Sequence, residues 1–309
     1  MSWFFQRVFG RSASVPVLST GLNGVFPEEP LSQLGDQGFG FYPARAGVLL
    51  NNGRYKILRK LGQGQYSTTW LVSDSQCIYV YPWLSLTLAS DSRAQETPAY
   101  YAVKILTVNA TKGHQYGHLH ELEIMKALRK QQVTQTLPYL FDHFETESPH
   151  GPHLCLIQPV LSTSISLFRQ SVPSRRLEFP AVRIIIAQVL EALVALHAAG
   201  VVHTGEEIIY HNTKSPIRSS IDLKPDNILF CNGTGREFIQ KLLNESPLVT
   251  IGEFELHGAR YPIIQSQPIP HPFHWKDPPE IVEQYSVQLT DLGHGHSFYL
   301  AIVLDSPEL

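Results

Sequence analysis

The amino-acid sequence predicts an α+β fold, in which an antiparallel sheet forms an N-terminal lobe and helices form a C-terminal lobe. Three segments with strand-like composition come first, at residues 55–61, 68–72 and 100–106. The strongest helix prediction comes later, at residues 181–199, where a single apolar stripe ends at Gly200. Strands that precede helices in this way are typical of folds that segregate the two kinds of element.

Weaker patterns complete the predicted order. Residues 115–129 have helical spacing, with leucine or methionine at every third position from Leu119 to Leu128. Short strands are predicted at residues 154–161 and 287–290. We therefore divide the chain into a disordered or targeting leader and two lobes. The leader comprises residues 1–50, the N-terminal lobe residues 51–161 and the C-terminal lobe residues 162–309. The N-terminal lobe contains an insertion at 77–99, and the C-terminal lobe contains an insertion at 205–221 and a long spacer at 231–288. We predict the spacer to be insertion rather than core.

Composition excludes several classes of protein. The hydrophobic fraction of 43% is that of a globular protein. The formal charge of −3 gives no electrostatic reason to expect direct binding of nucleic acid or of an anionic membrane. The three cysteines, Cys77, Cys155 and Cys231, have no CxxC spacing, which predicts neither a disulfide framework nor a zinc site and favours a reducing compartment.

No segment of the sequence is predicted to span a membrane, because no apolar run approaches the roughly 18 to 20 residues that a span requires. The longest candidate, residues 78–88, has 11 residues and contains Pro82. The first 27 residues carry Arg7 and Arg11 without any acidic residue, which is compatible with a mitochondrial transit peptide. An ordinary disordered N-terminus explains the same composition, and we favour it.

A glycine-bearing turn lies between the first two predicted strands. Gly62, Gly64 and Ser67 form a GxGxxS pattern there. Glycines allow backbone amides to approach a phosphate group that side chains would keep away. A plain hairpin explains this turn equally well when the turn is considered alone.

The next candidates are a lysine and a glutamate that follow the turn in order. Lys104 lies on the third predicted strand, where a phosphate-binding loop needs a cation. Glu121, on the following helix, is predicted to pair with Lys104 and to fix its position. Glu123 is the competing partner, and an exposed strand lysine is the alternative for Lys104.

An interrupted motif gives the chemistry. His203 and Thr204 are followed, after the 17 residues 205–221, by the string DLKPDN that begins at Asp222 and ends at Asn227. An Asp and an Asn five residues apart serve phosphoryl transfer, in which the Asp accepts the proton of the attacking hydroxyl and the Asn holds a metal ion. Asp291, in a DLG tripeptide after the predicted strand 287–290, completes the set as a magnesium ligand.

At these residues the chain resembles the eukaryotic protein kinases, and among them the SR-protein kinases, particularly their fungal members. These enzymes phosphorylate serines in Arg/Ser-rich splicing factors. The resemblance rests on the strings RYKILRKLGQGQYSTTWLV, YYAVKIL, HELEIMKALRK, LCLIQPVL, DLKPDNILF and LTDLGHG. Ser67 in place of a third glycine and Leu292 in place of a phenylalanine are typical of that group.

The resemblance implies a protein-kinase-like fold, with ATP and Mg²⁺ as cofactors and Ser/Thr residues of a protein as acceptors. It implies that ATP binds under the glycine loop, with Lys104 on its phosphates, and that residues 158–161 form the adenine-binding hinge. The implied catalytic residues are Asp222 as the base, Lys224 near the transferred phosphate, and Asn227 with Asp291 as the metal ligands. The implied cofactor-binding residues are Leu61, Gly62, Gln63, Gly64, Gln65, Tyr66, Ser67, Lys104 and Glu121.

The same resemblance sets the expectations about partners. A protein substrate, such as an Arg/Ser-rich splicing factor, is expected, and no nucleic-acid or membrane partner is. The expected location is the cytoplasm or the nucleus, with mitochondrial targeting less favoured. The sequence predicts no oligomeric state.

Three departures from the family pattern oppose activity. They are the two insertions and the ending, where the sequence after Gly295 runs HSFYLAIVLDSPEL with no activation segment. We interpret the insertions as translated introns and the final residues as readthrough, with family-specific insertions as the alternative. We therefore also consider a non-catalytic nucleotide-binding module and an unstable truncated product. On this interpretation residues 1–309 do not phosphorylate an Arg/Ser-rich peptide.

Overall fold

The computed structural model describes residues 28–76, 99–130, 135–199, 201–202, 223–231, 234–292 and 296–297. The predicted insertion at 205–221 lies outside the described residues, and so does the insertion at 77–99 except for Ala99. The first 27 and the last 12 residues of the chain also lie outside them.

The N-terminal lobe is built on an antiparallel sheet of six strands. Its spatial order is β1-β2-β3-β4-β6-β5. The strands are β1 (Leu49–Leu50), β2 (Tyr55–Gln63), β3 (Ser67–Asp74), β4 (Ala99–Leu106), β5 (Asp142–Ser148) and β6 (Gly151–Gln158). The predicted strands at 55–61, 68–72 and 100–106 fall within β2, β3 and β4, and the one at 154–161 overlaps β6 but extends past its end at Gln158. Strand β5 carries no strong apolar signal and was not predicted.

The position of β4 in the centre of the sheet explains its nearly continuous apolar sequence. The strand lies between β3 and β6 and is covered on both faces, so seven of its eight residues are buried. A strand that is buried on both faces needs a nearly continuous apolar run rather than an alternating one. Lys104 is the single residue of β4 that is not fully buried.

Two helices follow β4 where the sequence predicted one. They are α1 (Val108–Gln115) and α2 (Glu121–Lys130), so the predicted helix at 115–129 begins six residues too early. Gly117, with φ at +71°, lies between them, and a backbone in this left-handed region interrupts a helix. Helix α1 is mostly polar and begins at Thr107, whose hydroxyl accepts a hydrogen bond from the amide of Ala110.

The remaining elements follow in the second half of the chain. They are α3 (Ile165–Ser171), α4 (Phe179–Ala198), β7 (Val201–Val202), β8 (Ile228–Phe230), α5 (Arg236–Glu245), β9 (Thr250–Leu256), β10 (Ala259–Ile264), α6 (Pro279–Val282), β11 (Val287–Leu289) and β12 (His296–Ser297). Strands β8 and β11 pair with each other, and β9 and β10 form a hairpin.

Helix α4 is the predicted helix at 181–199, and it has two apolar faces. One face contributes Ile185, Val189 and Leu196 to the main core. The other face leaves Ile186, Leu190 and Val194 exposed. Helix α4 is long and apolar enough to cross a membrane by length and hydropathy alone. The expectation that no segment is long and apolar enough to span a membrane was therefore wrong. One such helix is weak evidence for a membrane span, and 33% of its most apolar window is buried inside the fold.

The predictions for the leader and the spacer need correction, because the described parts of both pack against the sheet. From the leader, Phe41, Ala44 and Leu50 are buried. From the spacer, Ile239 and Leu242 of α5 pack against Leu71, Tyr100 and Val160. Residues 28–50 and the described residues of 231–288 are therefore part of the folded body and not appended loops.

Candidate active site

Lys104 lies at the centre of the candidate site, where the sheet faces the C-terminal lobe. Its ammonium donates to both carboxylate oxygens of Glu121, at 2.7 and 2.8 Å, and to a carboxylate oxygen of Asp291 at 3.0 Å. The Lys104 side chain is 15% exposed, and that of Asp291 is 46% exposed. One ammonium is therefore held between two carboxylates at the edge of an accessible space.

These contacts keep Lys104 charged. Burial alone would lower its pKa, but the carboxylates of Asp291 and Glu121 outweigh burial and raise the pKa of Lys104 above its usual range. A permanent positive charge in a poorly hydrated position is suited to an anionic group such as a phosphate.

The choice between the two glutamates of α2 is settled by the helix orientation. Glu121 is buried and faces Lys104. Glu123, two residues further, points elsewhere and lies 3.4 Å from His114 of α1. Residues two apart on a helix do not share a face, so only one of the two glutamates reaches the sheet.

The two predicted metal ligands are brought together by the β8–β11 pair. Asn227 directly precedes β8, and Asp291 follows β11 by two residues. The carbonyl of Asn227 accepts hydrogen bonds from the amide and the hydroxyl of Thr290, at 2.8 and 3.0 Å. Asp291 has φ at +61°, a left-handed conformation that aspartate adopts more readily than most residues. This ladder holds the backbone beside Asn227 against the backbone that carries Asp291.

The glycine loop, residues 62–67, comprises the end of β2, the connecting turn and the first residue of β3. The amide of Gly64 donates to the carbonyl of Ser67 at 2.8 Å and closes the turn. A Cβ atom added at Gly62 would meet nothing within 4 Å, so the surface over this backbone is open. Tyr66 packs against the main core, and its carbonyl accepts a hydrogen bond from the amide of Thr107 at 2.8 Å.

The sequence did not predict a role for Thr107, whose amide is hydrogen-bonded to the glycine loop. Its backbone amide holds Tyr66 while its hydroxyl caps α1, so one residue links the loop to a helix. A threonine directly before a polar helical segment is an N-cap signal that would have identified the helix start. No local signal in the sequence indicates the contact with Tyr66.

The remaining predicted site residues are placed less completely. Asp222, His203 and Thr204 lie outside the described residues, so the structure does not place the predicted base. Lys224 is exposed and precedes the 3-10 helix Pro225–Asn227. The expected hinge begins where β6 ends at Gln158, and the Gln158 amide contacts Met125 of α2 at 3.5 Å. In the loop, Leu61 is half-buried, whereas Gln63 and Gln65 are exposed.

Comparison with known proteins gives the relationship. The chain is 27% identical over 252 residues to SRSF protein kinase 3 of Mus musculus, 26% identical over 197 residues to Protein kinase dsk1 of Schizosaccharomyces pombe, and 24% identical over 206 residues to Serine/threonine-protein kinase SKY1 of Saccharomyces cerevisiae. Homologues of this chain are SR-protein kinases. The matches cover 80%, 62% and 65% of the chain, and 36%, 29% and 23% of those three proteins.

The relationship to the SR-protein kinases therefore covers most of this chain, whereas the chain spans about a third of the length of the curated relatives it matches. Mammalian and yeast members both match, and a special closeness to fungal members stays a prediction. No family model matches the chain. A solved kinase domain superposes with a TM-score of 0.48 at 18% identity, over 84% of this chain and 55% of that one.

Proposed function

We propose that this chain is an ATP-dependent protein serine/threonine kinase of the SR-protein kinase type, which transfers the γ-phosphate of ATP to Ser or Thr of a protein. The observation that carries the proposal is the ammonium of Lys104, held between Glu121 and Asp291. On the sheet, Lys104 is in register with Thr69, which pairs with Gly62 of the glycine loop. A buried, permanently charged lysine with two carboxylate partners serves to position anionic groups and a metal ion together.

The residues of the site fit ATP and Mg²⁺. The open surface at Gly62 allows phosphate groups to approach the loop backbone. Within the part of the chain that the structure describes, no cluster of three or more His, Cys, Asp or Glu residues could hold a metal ion. Mg²⁺ in nucleotide sites binds through one or two protein ligands and the substrate phosphates. Asn227 and Asp291 would be those ligands, and bound Mg²⁺ would neutralise charge on the phosphates.

The roles of the other residues follow from phosphoryl transfer. Glu121 would hold Lys104 in place, and Lys104 would bind phosphate oxygens as a point charge. Asp222 would accept the proton of the attacking hydroxyl, and exposed Lys224 would lie near the transferred phosphate. Because this chemistry is mainly positioning and charge stabilisation, each role depends on geometry more than on an unusual pKa.

The proposed substrate is a Ser-containing segment of an Arg/Ser-rich protein. SRSF protein kinase 3 carries a splicing-factor class in its name, and this chain is its homologue. The nearly balanced formal charge of −3 gives no support to direct nucleic-acid binding. We further propose the cytoplasm or the nucleus as its location, where such substrates reside.

Calorimetric titration with Mg-ATP tests the nucleotide site. The parent protein is expected to bind, Lys104→Met is expected to lose measurable binding, and Lys112→Met is the matched control because Lys112 is an exposed lysine on the neighbouring helix. Equal affinity of the parent and Lys104→Met would contradict the nucleotide-site assignment.

Transfer is tested separately with labelled ATP and an Arg/Ser-rich peptide. Phosphate incorporation that falls at least about 100-fold in Asp222→Asn, but not in Asp36→Asn, supports the kinase. Binding of Mg-ATP without any transfer supports the second candidate, a non-catalytic nucleotide-binding module. Incorporation that is unchanged in Asp222→Asn would contradict the role of Asp222.

A further inference from the structure

Strand β2 carries a second lysine that is fully buried and that the phosphoryl-transfer chemistry does not use. The Lys60 side chain has 0% exposure, and its ammonium donates to Glu28 at 2.6 Å and also to Glu29. It also donates to the carbonyl of Ile264 at 3.2 Å. Lys60 is therefore the centre of a buried ion cluster with two carboxylates.

Three segments that are far apart in sequence meet at this cluster. We name residues 28–44 the strap and residues 264–267 the return segment. Glu28 of the strap accepts hydrogen bonds from the amide and the hydroxyl of Ser266, at 2.8 and 2.9 Å. The amide of Gln267 donates to the carbonyl of Lys60 at 2.9 Å. The strap and the return segment are thus bonded to β2 and to each other through one lysine.

The cluster lies next to the glycine loop. Lys60 pairs with Trp70 of β3, and the register of the two strands shifts between Lys60 and Gly62. A register irregularity bends a strand and re-aims the residues that follow it, which here are the loop. The Lys60 backbone therefore lies at the irregularity that directly precedes the loop.

The strap also reaches the loop from its other end. The carbonyl of Gly40 accepts a hydrogen bond from the amide of Val108 at 2.9 Å. The preceding residue, Thr107, is the one that holds the carbonyl of Tyr66 within the loop. The strap is consequently bonded near the loop at two places, to Lys60 of β2 and to Val108, which follows the residue that holds Tyr66.

Burial of three charged groups is unfavourable unless they are paired, and replacing such clusters with apolar residues often does not reduce stability. A buried ion cluster is therefore better explained by the geometry that it specifies than by the stability that it adds. Here the specified geometry is the attachment of two distant segments to the strand that leads into the loop.

We propose that Lys60 is a positioning residue for the glycine loop, and that attachment of the strap and the return segment to Lys60 is coupled to nucleotide binding. This inference rests on the proposed function, because the loop must bind a nucleotide. Since coupling is reciprocal, loss of the attachment weakens nucleotide binding, and nucleotide binding tightens the attachment.

The first measurement is the affinity for Mg-ATP in the full chain. Lys60→Met is expected to bind about tenfold more weakly than the parent, a typical size for coupled sites. Ser266→Ala removes only one hydrogen bond to Glu28, leaves the ion pairs intact and is expected to weaken binding by a smaller factor. Lys56→Met, an exposed lysine on the same strand, is the matched control and is expected to leave the affinity unchanged.

The second measurement separates positioning from a merely structural role. Hydrogen exchange of residues 29–44 and 264–267 is followed with and without Mg-ATP. Nucleotide is expected to slow exchange of both segments in the parent and in Lys56→Met, but not in Lys104→Met. A contribution of Lys60 to folding alone would give the same exchange with and without nucleotide.

The outcomes distinguish the two levels of inference. Unchanged affinity in both Lys60→Met and Ser266→Ala, with no nucleotide effect on exchange, overturns the coupling while the nucleotide site stands. Failure of the parent to bind Mg-ATP overturns the proposed function and the coupling together. In that case faster exchange of the strap in Lys60→Met than in Lys56→Met still supports the attachment, and equal exchange overturns it.

Discussion

The ammonium of Lys104 lies 3.0 Å from the carboxylate of Asp291, although 187 residues separate the two in sequence. Lys104 belongs to the sheet of the N-terminal lobe, and Asp291 follows a strand of the C-terminal lobe. The same ammonium binds Glu121 on the opposite side, so this pair connects the two lobes at the candidate site. A ligand that attracts both groups would bind at this junction and not to either lobe alone.

Replacement of Asp291 with asparagine should weaken the binding of Mg²⁺ that accompanies ATP binding. The amide keeps the shape of the side chain but removes the charge that would bind the metal, while Lys104 keeps Glu121 as a partner. We expect the apparent affinity for Mg²⁺ in the presence of ATP to fall by at least about tenfold. The measurement is an ATP titration at several Mg²⁺ concentrations.

The exposed carboxylate of Glu191, on α4, provides the control for this experiment, because Glu191→Gln removes one negative charge outside the strap and outside the candidate site. If Asp291→Asn responds to Mg²⁺ as the parent does, Asp291 is not a metal ligand. ATP binding without Mg²⁺ is expected to change little in either variant.

Two leucines of α4 allow a matched test of its packing. Leu196 is 1% exposed in the main core, whereas Leu190, on the same helix, is 56% exposed. Leu196→Ala should lower the free energy of unfolding by about 2 to 5 kcal/mol, because it leaves a cavity. Leu190→Ala should change it by no more than about 0.5 kcal/mol. Equal losses in urea denaturation would mean that the Leu190 face is covered in solution.

Much of the N-terminal lobe was predictable because its signals are local. The alternation at 55–61 and the apolar run at 100–106 directly reflect which faces of β2 and β4 are covered. The pairing of Lys104 with Glu121 followed from the order of the motifs along the chain, and the structure brings these two side chains together. The start of α2 was placed too early, because the apolar spacing that begins at Leu119 was extended back across Gly117, whose φ of +71° interrupts the helix.

The leader and the spacer were misjudged because their anchors are distant in sequence. Residues 28–50 contain many glycines and prolines, and nothing nearby indicates that Glu28 and Glu29 pair with Lys60. In the spacer, α5 is amphipathic, but the sheet that its Ile239 contacts lies more than 100 residues earlier in the sequence. The local sequence therefore does not indicate this contact. Amino-acid composition indicates how flexible a segment is in the unfolded chain, but it does not show which long-range contacts order that segment in the folded protein.

Attachment of the spacer can be tested on α5. Ile239 is 1% exposed against the sheet, whereas Lys241, two residues further, is 46% exposed in its side chain. Ile239→Ala should lower the free energy of unfolding by about 2 to 5 kcal/mol, and Lys241→Ala by no more than about 0.5 kcal/mol. Chemical denaturation measures both. No difference between the two variants would return residues 231–288 to the status of an unattached insertion.

The stability of the fold should fall in mild acid because of a buried histidine. His153 has no exposed surface, and its ring nitrogens contact the carbonyl of Leu106 at 2.8 Å and the hydroxyl of Ser148 at 2.7 Å. Burial lowers the pKa of His153 to about 4, against the effect of the Leu106 carbonyl, which raises it. The folded state therefore keeps this ring neutral at a pH where the unfolded chain is protonated.

The sign of the effect follows from proton binding. Between the unfolded pKa of about 6.5 and the folded pKa of about 4, the unfolded state binds more protons, so stability decreases as the pH falls through this window. The contribution of His153 is complete above pH 6.5, and about 2 kcal/mol of it is lost at pH 5. Burial also lowers the pKa of His271 to about 4, which adds a loss of the same sign.

Urea denaturation at pH 7 and pH 5 should therefore show a smaller pH effect in His153→Gln than in the parent. His118→Gln, which changes an exposed histidine, should retain the full effect, and an equal pH dependence in all three proteins would contradict the buried neutral state of His153.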